Sequence, residues 1–492
     1  MALNNIEAKQ VIERIAEEKQ ERVRNGGSDF NGTLKRLVGI WRDPSHALIE
    51  LLQNADDTGA TIAEFRFLPH GIVFSHDGPS FTEDEVRAVC SIDQSTKDVE
   101  THTGFMGIGF KAVFKLSSSP FVVSSPWKWC FSSDGVEPSY WGWILTPRWC
   151  HELPPELQET PFNMTAFWLP YNTAFSKETV GRIEHELFDR FDSLSLLFLR
   201  HIKEIQMTAS NGKSRSLRCE GDAVVELKND NETTHHYKLF RNSFPVPDEV
   251  KDAYEVHDSD RDKAKIREIT LAFALDSAGN LIPSKLPVYT FLPTNYFPRL
   301  HFAVQGDFIL DTQRSTIDKT LEWNKWIWRC VKQLLVGAIE GFDSSGNRVS
   351  GFKEDEILRY QFLRMLPSKK DMSDDAKEDL IQEEFIEPFL TYCLENPIVL
   401  TSREQWVLPS ESVIVPASIQ KLMQPDELRP VTGRDHFVHP NVKGREFLRS
   451  LGMQEFAEHK ILSVLTADLL NNKSNIWLEN FYQFLFARLY GE

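Results

Sequence analysis

Hydrophobic and polar residues along the chain follow first a helical and then a strand period. Residues 4–25 carry a narrow apolar stripe at helical spacing that stops at Gly26-Gly27. Asp43-Pro44 supplies an N-cap and a first-turn proline, and the apolar positions that follow predict a second helix ending near Thr58-Gly59. Residues 62–76 alternate with a period of two. The N-terminal part therefore predicts two helices followed by two short strands.

The remainder of the chain predicts alternating blocks of strands and helices. Strand-like, Trp-rich sequence over 121–169 precedes a helix over 177–198, and strands dominate over 205–317. Helical patterns return over 321–339 and 354–396. The predicted fold class is α+β.

Length and composition restrict the class of protein. At 492 residues the chain exceeds the size at which one core keeps growing, so we expect several domains, with boundaries near 173–180 and 340–350. The apolar content of 41%, with 34 Phe and 12 Trp, is ample for packed cores. A net charge of −17 argues against general affinity for nucleic acid, because neutralising phosphates needs a basic surface.

Cysteine usage and hydropathy indicate the compartment. The six cysteines are scattered without close pairs, which predicts a reducing environment with neither a disulfide framework nor a Cys-rich zinc site. We find no apolar run long enough for a membrane helix, and the N-terminus is charged rather than signal-like. We expect a soluble intracellular protein, cytoplasmic with the nucleus as the alternative, and no membrane partner. Because the chain stops after the apolar helical run 477–489, we expect it to be part of a longer protein.

A polar stripe on the second predicted helix carries the first candidate chemistry. Glu50, Asn54 and Asp57 follow i, i+4, i+7 spacing opposite a broad apolar side. A carboxylate one turn before a carboxamide can present a base and a metal ligand to the same phosphate. Mg²⁺ needs few protein oxygens, because water and phosphate complete its octahedron. The simpler alternative is an amphipathic helix whose polar side faces water.

A glycine-dense segment is the second candidate. Its residues are Gly104, Phe105, Met106, Gly107, Ile108, Gly109 and Phe110. The glycines let backbone N–H groups approach an anion, and the helix start beyond them adds its dipole. Lys111 directly after the segment, and Lys97 in the polar stretch before it, are candidate phosphate contacts, and that stretch predicts a lid. A tight turn beside a core helix, with solvated lysines, explains the same residues without a ligand.

Two further elements complete the set. His76-Asp77-Gly78 ends a predicted strand, although Asp-Gly-Pro is also ordinary turn chemistry. Thr165 places one hydroxyl within the apolar strand 163–169, where threonine is common in any case. Neither element predicts a ligand by itself.

The order of the four elements resembles that of the Bergerat-fold ATPases, the superfamily of gyrase B, the large heat-shock chaperones, histidine kinases and MutL. The resemblance covers about residues 30–170. It implies ATP and Mg²⁺ as cofactors, with Glu50 catalytic, Asn54 the metal ligand, and the other residues named above contacting nucleotide. The implied domains are an N-terminal helix (1–29), a Bergerat-type α/β sandwich that binds ATP (30–175), a mixed α/β transducer-like middle domain (176–345) and an α-rich C-terminal segment (346–492).

One departure from that superfamily concerns recognition of the adenine base. Its members usually have Asp-x-Gly-x-Gly, in which the Asp accepts a hydrogen bond from the adenine amine. Aligning this chain on Gly78 puts His76 at that position and Asp77 one residue later. A neutral imidazole nitrogen can accept such a bond, whereas a protonated one cannot. The residue that reads adenine is therefore left open between His76 and Asp77.

A closer resemblance is to the group of sacsin and NO VEIN proteins. It rests on the segments 51–60, 91–97, 195–200, 291–294 and 306–315. In the heat-shock chaperones a segment similar to the last one carries an arginine that reaches the ATP γ-phosphate. That similarity makes Arg314 the catalytic candidate, and a surface arginine after a strand is the alternative.

These resemblances imply a leading function and two alternatives. The leading hypothesis is an ATPase that binds ATP and ADP, whose hydrolysis moves a lid and reorients the second domain, with chaperone-like action on protein clients. The first alternative is a nucleic-acid-associated ATPase of the MutL or gyrase kind, acting in DNA repair or defence. The second is a nucleotide-binding interaction module with little turnover. Whether nucleotide closes a homodimer is left open.

Overall fold

The chain forms two compact units in a computed structural model. The structure describes residues 4–39, 44, 46–92, 109–188, 191, 193–230, 232–253, 261–290, 292–310, 317–343, 345–368 and 380–490. The first unit comprises Met1–His236, Pro245–Arg267 and Phe291–Pro293, and the second comprises Tyr237–Phe244, Glu268–Thr290 and Thr294–Glu492. The four-part division expected from the sequence stays a prediction.

Both units contain α-helices and β-strands. The α-helices are α1 Asn5–Gly39, α2 His46–Asp57, α3 Glu83–Val89, α4 Val113–Leu116, α5 Pro155–Gln158, α6 Lys177–Phe188, α7 Asp248–Lys251, α8 Glu322–Glu340, α9 Glu387–Glu395, α10 Ala417–Gln420, α11 Pro425–Thr432, α12 Arg445–Ser450, α13 Ala467–Asn471 and α14 Asn475–Tyr490. The strands are β1 Ile62–Leu68, β2 Gly71–His76, β3 Phe121–Ser124, β4 Trp127–Cys130, β5 Arg148–Trp149, β6 Thr165–Pro170, β7 Glu204–Thr208, β8 Ser214–Gly221, β9 Val224–Asn229, β10 Glu232–Pro245, β11 Ile266–Leu275, β12 Val288–Thr290, β13 Leu292–Pro293, β14 Ala303–Gln305, β15 Val399–Leu400, β16 Trp406–Val407, β17 Ser412–Val413 and β18 His436–Phe437.

The described residues also form short 3₁₀ and π-helical turns. The 3₁₀ turns lie at Gly109–Ala112, Gly142–Leu145, Ser193–Leu196, Arg261–Lys263, Leu358–Tyr360, Phe362–Met365, Pro409–Glu411 and Glu458–Val464, and a π-helical turn lies at Gln382–Ile386.

A mixed sheet organises the first unit, with strand order β9-β8-β7-β1-β2-β6-β3-β4-β5. Strand β1 pairs parallel with β7 and antiparallel with β2. Strand β2 is buried along its whole length, so both faces of the sheet are covered there. Helix α2 contacts β2 and α4 contacts β6 on one side, while Leu157 of α5 packs with Val73 and Trp168 on the other. The centre of this sheet is therefore the core of the unit.

Helix α1 contacts α4 and the β4–β5 pair and follows its predicted stripe only in part. Ala8, Val11, Ile12 and Ile15 are buried. The helix is broken at Gly27, which has left-handed φ of 62°, and a second helical piece continues to Gly39. The predicted stop at Gly26-Gly27 is thus a break between two helical pieces, because glycine tolerates the conformation that interrupts the hydrogen-bond ladder.

The second unit combines a small sheet with helices. Strand β14 pairs antiparallel with β11 and parallel with β12. Helix α8 buries a broad apolar side that includes Trp323, Ile327 and Leu335, and it ends at Gly341 in the left-handed conformation. The two-stranded pairs β15–β16 and β17–β18 lie within the C-terminal part of the chain. A further core there gathers apolar side chains of which Val413, Met423, Leu428 and Phe456 are members.

The mixed α and β composition confirms the predicted fold class at this coarse level. Strands β1 and β2 and helix α8 lie within two residues of their predicted positions. Over 354–396, where a helical pattern was expected, the described part of the chain is helical in short pieces: two 3₁₀ turns, a π-helical turn and α9. Among the described residues no helix is both long and apolar enough to cross a membrane.

Candidate functional site

Helix α2 carries the predicted polar stripe and is closed by a defined C-terminal turn. Leu48, Leu51, Leu52 and Ala55 are buried on its apolar side. Gly59 adopts a left-handed φ of 86°, and the Ala60 N–H donates to the Ala55 carbonyl at 3.1 Å. This is the closing pattern that satisfies the last carbonyls of a helix. The apolar side fixes which face of α2 remains for Glu50, Asn54 and Asp57.

The end of the glycine-dense segment lies directly against Glu50. A Cβ built on Gly109 would lie 2.4 Å from the Glu50 Oε2 atom, which is closer than a real Cβ approaches such an atom. Only a residue without a side chain leaves the Glu50 carboxyl where it is. The structure therefore brings together the two sequence elements with the clearest chemistry, one on α2 and one at the start of a 3₁₀ turn.

The other end of α2 lies against the turn after β2. A Cβ built on Gly78 would lie 2.8 Å from Thr58 Oγ1 and 2.9 Å from His76 Nδ1. Glycine at this position lets the strand end approach the C-terminal turn of α2. The helix is thus bounded by Gly109 near Glu50 and by Gly78 beyond Asp57.

The strand register adds Thr165 to the same face of the sheet. His76 lies opposite Thr165, and Phe74 lies opposite Phe167, so all four side chains share one face. Phe110 covers that face, with its ring 6.2 Å from the ring of Phe167. Thr165 is fully buried, and its hydroxyl lies 2.7 Å from that of Ser124. His76, Thr165 and the residue after Gly109 therefore meet in one layer.

His76 is a buried, neutral imidazole in this structure. Burial lowers its pKa from the ordinary value to about 4, with nearby Asp77 acting in the opposite sense. Its Nδ1 accepts a hydrogen bond from the Gly78 N–H at 3.2 Å. In the neutral ring the proton then sits on Nε2, which is a donor. The nitrogen able to accept a bond from an adenine amine is engaged by the backbone.

Asp77 closes the start of β1. Its Oδ1 accepts from the N–H groups of Thr61 and Ile62 at 2.7 and 2.8 Å, and its Oδ2 accepts from the Thr61 hydroxyl at 2.5 Å. Partial burial opposes ionisation, but the Thr61 hydroxyl and the two amides outweigh it and hold the pKa of Asp77 below its ordinary value. The carboxylate has three protein donors, so its position is fixed by the fold.

Lys111 is buried rather than exposed to an anion. Its ammonium donates to the carbonyls of Val89 and of Ile144, the latter at 3.3 Å, and lies within 6.0 Å of the Phe110, Phe114 and Phe131 ring centroids. Burial lowers the pKa of Lys111 to about 7. We therefore leave Lys111 out of the phosphate contacts that we propose below. Phe110 is likewise a packing residue among aromatic rings.

Several predicted site residues lie outside the described residues. They are Lys97, Gly104, Phe105, Met106, Gly107, Ile108 and Arg314. Their roles stay predictions.

A carboxylate that sequence reasoning passed over has the densest set of backbone partners. Asp56 is 1% exposed and accepts N–H bonds from Arg200, His201 and Ile202 at 2.8–2.9 Å. It therefore ties α2 to the segment before β7. Asp56 lies off the Glu50–Asn54–Asp57 stripe, which was a signal that it has a different role. Its partners could not be identified from the sequence, because they lie 144 to 146 residues away along the chain.

Comparisons with known proteins support part of the predicted relationship. No family model matches the chain. Over 325 residues, 62% of its length, the chain is 28% identical to the protein NO VEIN of Arabidopsis thaliana, and the match spans 11% of that protein. Over 109 residues, 18% of its length, it is 33% identical to sacsin of Homo sapiens, and the match spans 2% of sacsin. The chain is therefore similar to parts of NO VEIN and sacsin and covers only a small share of either protein.

Among solved structures, the chain is similar to one described as the N terminal domain of a DNA repair protein. The match has 12% sequence identity and a TM-score of 0.34, and it covers 60% of this chain and 93% of that one. A likeness at this level carries no argument about function, and the Bergerat-type architecture stays a prediction.

Proposed function

We propose that the first unit binds Mg-ATP against the polar face of α2 and hydrolyses it. The observation that carries the proposal is the approach of Gly109 to Glu50, where a side chain on residue 109 would collide with the carboxyl oxygen. A carboxylate next to a glycine-dense backbone segment is what a base beside a phosphate requires, since the backbone amides can approach the anion and the carboxylate can approach the water.

Glu50 would accept a proton from the attacking water. Asn54, one turn further along α2, would offer its amide oxygen to magnesium. The described residues contain no group of three or more His, Cys, Asp or Glu that could hold a metal ion. Magnesium takes most of its oxygens from water and phosphate and would neutralise charge on the transferred phosphoryl group.

The part of the proposed site that would hold adenine differs from that of the ATPases that the chain resembles. Nε2 of His76 is a donor, and Asp77 is engaged by Thr61 and Ile62. We therefore propose that selectivity for adenine is weaker here than affinity for Mg-triphosphate. A conformational cycle acting on protein clients is the broader role that we propose for the hydrolysis.

Replacing Glu50 tests the proposal. Glu50→Ala should reduce ATP turnover by about 10²–10⁴-fold while ATP stays bound, because the general base is lost and the binding groups remain. Turnover is measured by phosphate release and binding by titration with ATP. Glu64→Ala, on the neighbouring strand β1, is the control and should leave turnover unchanged. Hydrolysis at the wild-type rate in Glu50→Ala would contradict the catalytic role, and binding without turnover in the wild type would favour the interaction module.

One observation favours the nucleic-acid alternative as a second candidate. In the second unit a concavity of about 620 Å³ is lined by Arg364, Lys443, Arg445 and Arg449 together with Pro440, Val442 and Gly444. Arg449 is paired with Glu455 at 2.8 Å, Arg445 also lies near Glu455, and Arg364 lies near Asp276, so acidic side chains offset part of the positive charge of this wall. Such a surface on a chain of net charge −17 could neutralise phosphates locally.

Salt dependence separates this candidate from the first. The double variant Lys443→Ala/Arg445→Ala should weaken binding to a DNA oligonucleotide and flatten the dependence of affinity on salt, since fewer counterions would be released. Arg348→Ala is the control because Arg348 is exposed and pairs with Glu354. Absence of DNA binding at low salt in the wild type would remove this candidate.

A further inference from the structure

One face of the β4–β5 pair carries two cysteines. In the antiparallel register Cys130 lies opposite Arg148 and Trp129 lies opposite Trp149. The Cys150 N–H continues the ladder by donating to the Lys128 carbonyl at 3.1 Å. Because side chains alternate along a strand, Lys128, Cys130, Arg148 and Cys150 share one face. The two thiols are diagonal neighbours there, although twenty positions separate them in the sequence.

The two thiols are close enough to influence each other's ionisation. The interaction with Cys150 lowers the pKa of Cys130 against the opposing effect of burial, and Arg148 lowers it further. The same interaction and burial raise the pKa of Cys150. Cys130 is partly exposed and Cys150 is buried. The pair thus has an accessible thiol with thiolate character beside a protected one, which is the arrangement of a reactive and a resolving cysteine.

The remaining cysteines lack this combination. All six lie in the described part of the chain, and Cys90, Cys219, Cys330 and Cys393 are buried. Burial raises the pKa of Cys90 and of Cys330 to about 12. A buried thiol with a raised pKa is a poor nucleophile. Reactivity is therefore expected at Cys130 first.

We propose that Cys130 and Cys150 form a reversible disulfide when the chain meets a disulfide oxidant such as oxidised glutathione. The Cys130 thiolate attacks one glutathione sulfur, the glutathione S–S bond breaks, and one glutathione leaves as a thiolate. Cys150 then passes its proton to solvent base and attacks the Cys130 sulfur, and the second glutathione leaves as a thiolate. The two protein thiols are oxidised by two electrons, and glutathione disulfide is reduced to two thiols. This inference does not depend on nucleotide binding.

Peptide mapping of the full chain tests the proposal directly. After incubation with oxidised glutathione, free thiols are alkylated and the chain is digested and analysed by mass spectrometry. We expect a peptide pair joined through Cys130 and Cys150 that disappears on reduction with dithiothreitol. Cys219→Ser is the matched control and should keep the cross-link, because Cys219 is buried elsewhere in the first unit.

Two variants separate the steps. Cys150→Ser should stop the reaction at a glutathione adduct on Cys130, whereas Cys130→Ser should leave Cys150 unmodified. The wild-type map needs neither variant, so their folding does not decide the result. If both cysteines of the wild type are alkylated after oxidation, if Cys130 keeps glutathione, or if either cysteine pairs with a different one, the proposal is overturned.

Discussion

Two kinds of polar residue meet around α2, and they differ in what their partners are. At the Glu50–Gly109 contact, a carboxyl lies against a backbone position that has no room for a side chain. At the polar anchors, which we define as Asp56, Asp77 and Lys111, the charged groups are held by backbone amides or carbonyls. In the sequence both kinds stand within or beside the same motifs. The difference shows that the contacts of a polar residue in the structure, and not its place in a motif, distinguish a candidate catalytic residue from a structural one.

The two kinds of residue should respond differently to substitution. A change at the Glu50–Gly109 contact should alter chemistry while leaving the fold intact, because the colliding atom is the end of a flexible side chain. A change at a polar anchor should alter the free energy of unfolding, because buried backbone groups lose a partner.

Gly109→Ala should give the largest effect. The new Cβ would displace the Glu50 carboxyl, so we expect ATP turnover to fall by about 10²-fold or more with the unfolding midpoint within a few degrees of the wild type. Turnover is measured by phosphate release and stability by thermal unfolding. Gly181→Ala is the matched control, since a Cβ there meets no atom within 4 Å. Unchanged turnover in Gly109→Ala would mean that the contact only shapes a turn.

Asp56→Ala should mainly destabilise the first unit. Three buried N–H groups of residues 200–202 would lose a charged acceptor, which we expect to lower the free energy of unfolding by about 3 kcal/mol. Urea unfolding measures the change, and Asp134→Ala at an exposed turn should change it by no more than about 0.5 kcal/mol. A near-neutral Asp56→Ala would show that these bonds do not anchor α2.

Lys111→Met should change the pH dependence of stability. The folded chain releases the Lys111 proton above about pH 7, whereas the unfolded chain keeps it to about pH 10. Between these values the unfolded state binds more protons, so the free energy of unfolding of the wild type rises with pH by up to about 1.4 kcal/mol per unit, and below pH 7 Lys111 contributes no slope.

In Lys111→Met the free energy of unfolding lacks the rise with pH that Lys111 gives the wild type. Between pH 7 and 8.5 the stability of the wild type relative to Lys111→Met should therefore rise by about 2 kcal/mol in urea titrations. A difference between the two proteins that is independent of pH would contradict the buried, titrating ammonium.

The pattern of hydrophobic and polar residues predicted single helices and strands better than it predicted contacts between residues distant in the sequence. The structure confirms the strands predicted from the period-two pattern of 62–76 and the helix predicted over 321–339. Each of these patterns reflects burial on one face of a single element. The helical pattern over 354–396 corresponds to short 3₁₀ and π-helical turns and to α9. The placement of Cys130 and Cys150 on one face was missed because β-sheet register is set by pairing between strands and not by spacing within them.

The same limit explains the site residues. Glycine at position 109 predicted a close approach, but only the fold identifies Glu50 as the group approached. Lys111 was predicted to contact phosphate from its place in the motif, and its burial depends on Val89, Ile144 and three aromatic rings from elsewhere in the chain. His76 was considered an acceptor until the Gly78 N–H fixed its tautomer.

Calorimetric titration of ATP with and without magnesium shows whether the α2 face binds Mg-ATP. We predict saturable binding of Mg-ATP by the wild type. Asn54→Ala should weaken Mg-ATP at least tenfold and leave metal-free ATP nearly unchanged, because the amide oxygen would serve the metal. Asn211→Ala, at an exposed turn, should match the wild type. Absence of ATP binding by the wild type, or equal losses with and without magnesium in Asn54→Ala, would contradict the account.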